Sequence, residues 1–333
     1  MPTLNPLNLN RRFCVAPMLD WTDRHCRSFM RLISKQAVLY TEMITTGAIL
    51  HGDAERHLAM SDEEHPVALQ LGGSDPQDLA AACKIAERYS YAEINLNCGC
   101  PSDRVQNGMF GAVMMKNAAL TADCLAAMQG ASPLPVTVKH RIGVDDFDSY
   151  DFLCDFVGTI MDGHCSTFII HARKAWLQGL SPKQNREVPE LNYERVYQLK
   201  ADFPKAEIII NGGVTTLAEA KQHLTKIDGV MMGREAYTNP YILANVDRLI
   251  YGKDTVAKSR KNIADDFLQY VDNELVKGTN LHAMTRHILG LFHGMPGARK
   301  FRRHISENAY KKSASIDVLT TALDMMPSET GNE

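Results

Sequence analysis

Residues 207–213 read Glu207-Ile208-Ile209-Ile210-Asn211-Gly212-Gly213. A strand with one wet face alternates apolar and polar residues, whereas consecutive isoleucines suit a parallel strand covered on both faces. Similar β-rich runs recur at intervals suited to helical crossovers: Phe13–Met18, Val38–Met43, Val67–Gly72, Ala92–Asn97, Val136–Gly143, Thr167–Arg173 and Gly229–Arg234. Helical patterns lie between most of them, such as Pro76–Tyr89, Thr121–Ala131, Tyr150–Met161, Tyr193–Phe203 and Leu217–Ile227. About eight strand–helix units over roughly 235 residues predict an α/β fold of the (β/α)₈ TIM-barrel type. A doubly wound open sheet is the competing architecture.

Past Arg234 the strand pattern stops. Helical stretches follow at Ile242–Tyr251, Val256–Val276, Leu281–Phe292, Pro296–Tyr310 and Ile316–Leu323, with Tyr251-Gly252-Lys253-Asp254 as a linker. The expected organisation is a catalytic barrel over residues 1–250, a smaller all-helical domain over 255–325 and a frayed polar tail over 326–333.

With 45% hydrophobic and 23% charged residues in 333, the composition is that of an ordinary soluble chain. The formal net charge of -3 means that any polyanion-binding face must be local. No run approaches the ~18 apolar residues needed to span a bilayer, and residues Met1–Arg12 lack the apolar core of a signal peptide. Eight scattered cysteines in a chain of this size read as free thiols in a reducing cytoplasm.

Barrel strands deliver catalytic groups at their C-terminal ends, and here those ends are polar. They carry Ala16-Pro17-Met18, Thr41-Glu42-Met43, Gln70, Asn95 and Asn97, Lys139 and Arg141, His171 and Arg173, Asn211-Gly212-Gly213, and Gly233-Arg234. Any one of them could be a satisfied loop contact, but so many buried polar groups in one layer call for a ligand or water to pair them. The glycines after strands seven and eight either make tight βα turns or present backbone N–H groups to a phosphate; together they favour the phosphate. Lys139 then suits the N1–O2 edge of a reduced flavin, and Gln70 the donor and acceptor pattern of its pyrimidine ring. Another phosphate-bearing cofactor stays open on these residues alone. No G-x-G-x-x-G fingerprint follows strand one, which argues against a Rossmann dinucleotide fold.

After strand four comes Asn95-Leu96-Asn97-Cys98-Gly99-Cys100-Pro101-Ser102. Cys98 and Cys100 are too close for an ordinary metal pair, and no matching pair stands elsewhere at zinc spacing, so no metal is expected. A thiol at a catalytic rim can donate a proton, attack a carbon or be inert. Beside a flavin, Cys100 gains a use, because reducing a C=C bond needs a hydride on one face and a proton from the other. Cys98 reads as a packing residue.

Arg299, Lys300, Arg302, Arg303, Lys311 and Lys312 crowd one stretch of the helical region. Arg299, Arg302 and Arg303 share a helix face, either a solvated surface or a grip on phosphates. Lys183 and Arg186 form a second basic set in the long loop after strand six.

The segments Val15–Asp23, Gln70-Leu71-Gly72-Gly73, Asn97–Asp103, His171–Trp176, Asn211-Gly212-Gly213 and Val230–Arg234 resemble the tRNA-dihydrouridine synthases. Thr41-Glu42-Met43, Arg104–Gly108 and Gly294–Arg299 resemble the A type of that family, and the likeness runs from about Arg12 to Leu323. The resemblance implies an FMN-containing barrel with a helical tRNA-binding domain. It implies reduction of FMN by NADPH, hydride transfer to C6 of uracil, and protonation of C5 by Cys100, at uridines 20 and 20a of the tRNA D-loop. It assigns the cofactor to Pro17, Met18, Leu19, Gln70, Lys139, His171, Asn211, Gly212, Gly213, Gly233 and Arg234. Asn97 would hold the uracil or the flavin ring, and Lys183, Arg186, Arg299 and Arg302 would contact tRNA. Two positions depart from the family pattern: Cys98 replaces a usual valine, and His140 a usual threonine. A D-loop base that is already unstacked costs less to bring to the flavin. Two rival functions are an FMN barrel reducing a small free pyrimidine and a non-catalytic tRNA-binding protein.

Overall fold

The computed structural model describes residues 9–327 apart from 103, 104, 106 and 107. The quoted residues Asp103, Arg104, Gln106 and Asn107 therefore lie outside the described residues, as do positions 328–333 of the expected tail.

Eight strands close into a barrel: β1 Phe13–Val15, β2 Val38–Thr45, β3 Val67–Gly72, β4 Glu93–Cys98, β5 Val136–Arg141, β6 Thr167–His171, β7 Glu207–Asn211 and β8 Gly229–Met232. All neighbours pair parallel and in chain order, and Cys14 of β1 pairs with Met231 of β8. That last pairing excludes the open sheet, whose edge strands would have no partner.

Several strands end sooner than the β-rich runs suggest. Pro17 has no N–H for the ladder, and Gly212 and Gly213 turn to positive φ (108° and 73°). The polar groups expected at the strand ends thus divide between last strand residues (His171, Asn211) and the loops just beyond (Pro17, Met18, Gly212, Gly213). The crossover helices start on side-chain caps written in the sequence. Asp75, Asn117, Ser149 and Asn192 each accept a backbone N–H at the start of Pro76–Ala86, Ala118–Ala131, Tyr150–Asp162 and Tyr193–Asp202. Thr216 and Glu219 form a capping box on Leu217–His223.

The barrel interior has two halves. Cys14, Ala16, Val38, Tyr40, Ala68, Ile169, Ile209 and Met231 form one buried cluster. Strands β3 to β5 contribute buried polar side chains instead: Gln70, Glu93, Asn95, Asn97 and Thr137. At the N-terminal end of the barrel, Arg11 Nε donates to Glu93 Oε2 at 2.6 Å, and its Nη1 donates to Glu207 at 2.9 Å. The Glu93 carboxylate also accepts from Tyr40 and Thr137.

By density of internal contacts the chain divides into two compact units. One holds the described residues up to Asp20 together with Ala37–Gly233; the other holds Trp21–Gln36 and the described residues from Arg234 onward. The second unit thus takes in residues 21–36 and 234–250, which the sequence grouped with the barrel. Within it, the helix Arg24–Ile33 buries Cys26, Phe29, Met30 and Ile33, and Phe29 meets Phe267 of the helix Arg260–Val276 edge-on. Asp23 caps the first of these helices through Cys26 N and pairs with Arg286 and His287. No helix among the described residues is long and apolar enough to cross a membrane.

Candidate active site

The loop after β4 is built around one side chain. Asn97 Oδ1 accepts the backbone N–H groups of Gly99 (3.1 Å) and Cys100 (3.0 Å), which turns the chain sharply at the strand end. From the other side Arg141 Nε donates to Gly99 O at 2.9 Å, and Ala112 N donates to Cys100 O at 2.9 Å. The next turn depends on Gly111, whose φ is 76° and where a Cβ would lie 2.5 Å from Cys100 O. The thiol of Cys100 is half-buried and adds one long hydrogen bond to this loop, its Sγ donating to Ser102 Oγ at 3.5 Å.

Cys98, two residues earlier, is fully buried beside His140 of β5, and burial pushes its thiol well above the ordinary range. It packs. Of the eight cysteines only Cys100 and Cys154 are not buried.

Lys139, His171 and Asn211 occupy the same rim on β5, β6 and β7. Lys139 Nζ donates to Asn211 Oδ1 at 3.1 Å, and Asn211 Nδ2 donates to Met231 O at 2.8 Å, which fixes the amide with its oxygen toward the lysine. Burial, aided by Arg141, pulls the Lys139 amine down to about 7, although the nearby Cys100 acts the other way. Burial and the cations of Arg141, Lys139, Arg173 and Arg186 hold His171 well below its usual range, so its ring is neutral. His171 Nδ1 is buried without a hydrogen-bond partner.

The lysine shift has a consequence for stability. Lys139 releases its proton in the folded protein near pH 7 but in the unfolded chain only near 10.5, so the unfolded state binds more protons between those values. Stability is therefore expected to rise with pH across that window through this group. Lys139→Met should flatten the rise, measured as denaturant midpoints against pH; an unchanged slope would show that the amine is not desolvated.

Gly212 and Gly213 need their positive φ. A Cβ on Gly212 would lie 3.2 Å from His171 Nε2, and one on Gly213 would lie 2.5 Å from Leu191. Tyr193 OH donates to Gly212 O at 2.7 Å and pins this turn. Gly233 differs: an added Cβ would meet only Ala16 Cβ, at 3.9 Å, so protein packing does not demand glycine there.

Pro17 and Met18 are half-buried after β1 and Leu19 is 67% exposed, with Asp20 N donating to Glu42. Gln70 is buried inside the barrel, bonded to both Asn95 and Asn97. Lys183 and Arg186 are exposed in the loop after β6. Arg234, Arg299 and Arg302 belong to the second unit and are exposed. On the helix Ala298–Asn308, Phe301 and Ile305 are buried while Arg299, Lys300, Arg302 and Arg303 face solvent.

Two residues of consequence were not picked out as site residues from sequence. Arg141 reaches three backbone carbonyls, of Gly99, Lys174 and Asn185, and so ties the cysteine loop to the loop after β6. Asn185, fully buried, donates to Trp176 O and Leu180 O and accepts from Trp176 N. The signal for Arg141 was an arginine at a strand end; for Asn185 there was none. Among the described residues no group of three or more His, Cys, Asp or Glu side chains could hold a metal ion.

Comparison with known proteins adds the family. Residues 14–326 match the family model for dihydrouridine synthase (Dus). The chain is 60% identical over 326 residues to a tRNA-dihydrouridine(20/20a) synthase of Yersinia pestis, covering 98% of this chain and 94% of that one. It is 59% identical over 317 residues to one of Vibrio cholerae, covering 95% and 97%. Among solved structures, morphinone reductase superposes with a TM-score of 0.51 at 11% identity, over 76% of this chain and 88% of that one, which supports the barrel fold. The chain is an enzyme, and it belongs to the dihydrouridine synthase family.

Proposed function

We propose that this enzyme reduces the C5=C6 bond of uridine in the D-loop of tRNA, at positions 20 and 20a, giving 5,6-dihydrouridine. The positions follow the names of the relatives at about 60% identity. The observation that carries the reading is a half-buried thiol, Cys100, in a loop held chiefly by Asn97 and Arg141, on the rim that also holds Lys139, His171 and Asn211.

The residues at that rim fit FMN. Among the described residues His171 Nδ1 is an orphaned buried polar atom, Gly233 leaves room for close approach, and the one acceptor of Lys139 is neutral, the amide of Asn211. The Gly212-Gly213 turn and Gly233 would face the phosphate, while Lys139, with Gln70 and the Pro17-Met18-Leu19 segment, would hold the ring; Arg234 completes the set expected from sequence. When bound and reduced by NADPH, FMN would supply the hydride for C6. Everything else falls to the protein. Asn97 and Arg141 hold the loop so that Cys100 Sγ gives its proton to C5, leaving a thiolate that solvent reprotonates. Lys139, once beside an anion, recovers its charge. Asn97 retains one amide N–H for the uracil or the ring. A tRNA substrate implies a cytoplasmic setting.

Exposed cations are the proposed grip on tRNA: Lys183 and Arg186 on the barrel unit, Arg299 and Arg302 on the helical one. Each phosphate contact contributes ~0.7–0.9 to the slope of log affinity against log salt. Arg299→Ala or Arg302→Ala is expected to weaken tRNA binding and lower that slope by about one, while flavin content and reduction by NADPH stay as in the parent. Loss of flavin instead would contradict the division of labour. The reading as a whole is tested by offering unmodified tRNA and free uridine separately: turnover only on tRNA supports it, and equal turnover favours a reductase of small pyrimidines.

A further inference from the structure

We propose that a one-way file of hydrogen bonds through the barrel, starting at the carboxylate of Glu93, positions the cysteine loop, with Thr137 and Asn95 as positioning residues. The inference rests on the reading of Cys100 given above and extends it to groups at the opposite end of the barrel. Thr137 Oγ1 donates to Glu93 Oε1 at 2.6 Å. Asn95 Nδ2 donates to Thr137 Oγ1 at 2.8 Å, Gln70 Nε2 to Asn95 Oδ1 at 2.8 Å, and Asn97 Nδ2 to Gln70 Oε1 at 2.9 Å. Asn97 Oδ1 then accepts from Gly99 and Cys100.

The direction is forced at both ends. Glu93, paired with Arg11, can only accept, so the single proton of Thr137 points to it and the threonine oxygen is left to accept from Asn95. Each amide that follows must then turn its oxygen toward the rim. The far end asks for the same sense, because two backbone N–H groups can only donate. Reversing any one amide would set oxygen against oxygen, or N–H against N–H, in an interior without room for error. Glu93, Asn95 and Thr137 are 0% exposed, Gln70 1% and Asn97 8%, so water does not rescue a mismatch.

Packing does not call for this file. The other strands fill the same interior with Ile169, Ile209, Val38 and Met231, and apolar residues on β3 to β5 would avoid the cost of burying five polar side chains. The return is a carbonyl oxygen at Asn97 that cannot turn away from the loop bearing Cys100.

Thr137→Val keeps the shape and removes the hydroxyl. In the flavin-free protein, amide hydrogen exchange at Gly99 and Cys100 is expected to speed up about ten-fold, which corresponds to about 1.4 kcal/mol. kcat for dihydrouridine formation should fall by a similar factor with KM for tRNA unchanged. Thr137→Ser should restore both, and Thr137→Cys, with its weaker donor, should fall between them. Tyr40→Phe removes a different donor to the same carboxylate, outside the file, and should leave loop exchange as in the parent. Parental exchange in Thr137→Val, failure of Thr137→Ser to restore it, or an equal effect of Tyr40→Phe would overturn the proposal. If exchange follows the series while the parent makes no dihydrouridine, the file stands and the functional reading falls.

Discussion

Cys100→Ala is expected to lower dihydrouridine formation by about 10²–10⁴, the usual contribution of a positioned general acid, while tRNA affinity and flavin content stay near those of the parent. The expectation rests on what the thiol does not do. The loop is held by Asn97 through two backbone N–H groups, by Arg141 through Gly99 O, and by Ala112 through Cys100 O. Alanine removes the long thiol bond to Ser102 but preserves every one of these shorter bonds, so a fall in rate reports chemistry and not collapse of the loop. Water entering the space left by sulfur accounts for residual turnover. Labelling gives an independent check, since removing Cys100 leaves Cys154 as the one cysteine that is not buried. A parental rate in Cys100→Ala would end the acid role.

The second large effect concerns the far end of the barrel. Arg11→Met is expected to destabilise the barrel unit by about 3–5 kcal/mol, because it strands a carboxylate that has no access to water. Glu93 is 0% exposed, and among the described residues Arg11 is its only cationic partner at bonding distance. Arg11 also neutralises Glu207, which is partly exposed and can turn to solvent. The double change Arg11→Met with Glu93→Gln should recover much of the loss, since an amide oxygen can still accept from Thr137 and Tyr40 while the buried charge is gone. Denaturant midpoints of the parent and the two variants measure this. A single-variant loss below about 1 kcal/mol, the range of exposed pairs, would mean that the pair does not anchor the floor.

Much of the barrel was legible because burial on both faces leaves a strong mark on sequence. Ile208-Ile209-Ile210 cannot alternate, and the polar residues that end each run break the pattern where the rim begins. The helix starts were also readable, since Asp75-Pro76, Ser149 and Thr216…Glu219 combine the required cap chemistry with the required spacing. The helix Arg24–Ile33 was missed although Cys26, Phe29, Met30 and Ile33 repeat at helical spacing; a short amphipathic segment between two strands reads as one more crossover, and which unit it joins is a matter of tertiary contact.

The site divides in the same way. Cys100, Lys139, His171 and Asn211 advertised themselves as polar or reactive groups at strand ends, where an apolar residue would otherwise pack. Arg141 acts through backbone carbonyls far away in sequence and Asn185 through those of Trp176 and Leu180 in its own loop, and a carbonyl carries no side-chain identity to read. Glu93, at the first position of its strand, resembles a surface residue until Arg11 is found beside it. Gln70 and Asn97 were singled out for a ligand, yet each already spends most of its hydrogen-bonding capacity on the other and on its neighbours.

The most direct test of the chemistry is a single turnover of pre-reduced enzyme with unmodified tRNA in D₂O, locating the label in the product. The thiol proton exchanges with solvent, so dihydrouridine should carry one deuterium at C5, at a rate that collapses in Cys100→Ala; C6 takes the N5 hydrogen of the reduced flavin, which also exchanges with solvent, so its label does not report on the thiol. Absence of deuterium at C5, or labelling of C5 at the parental rate without the thiol, would contradict Cys100 as the proton donor.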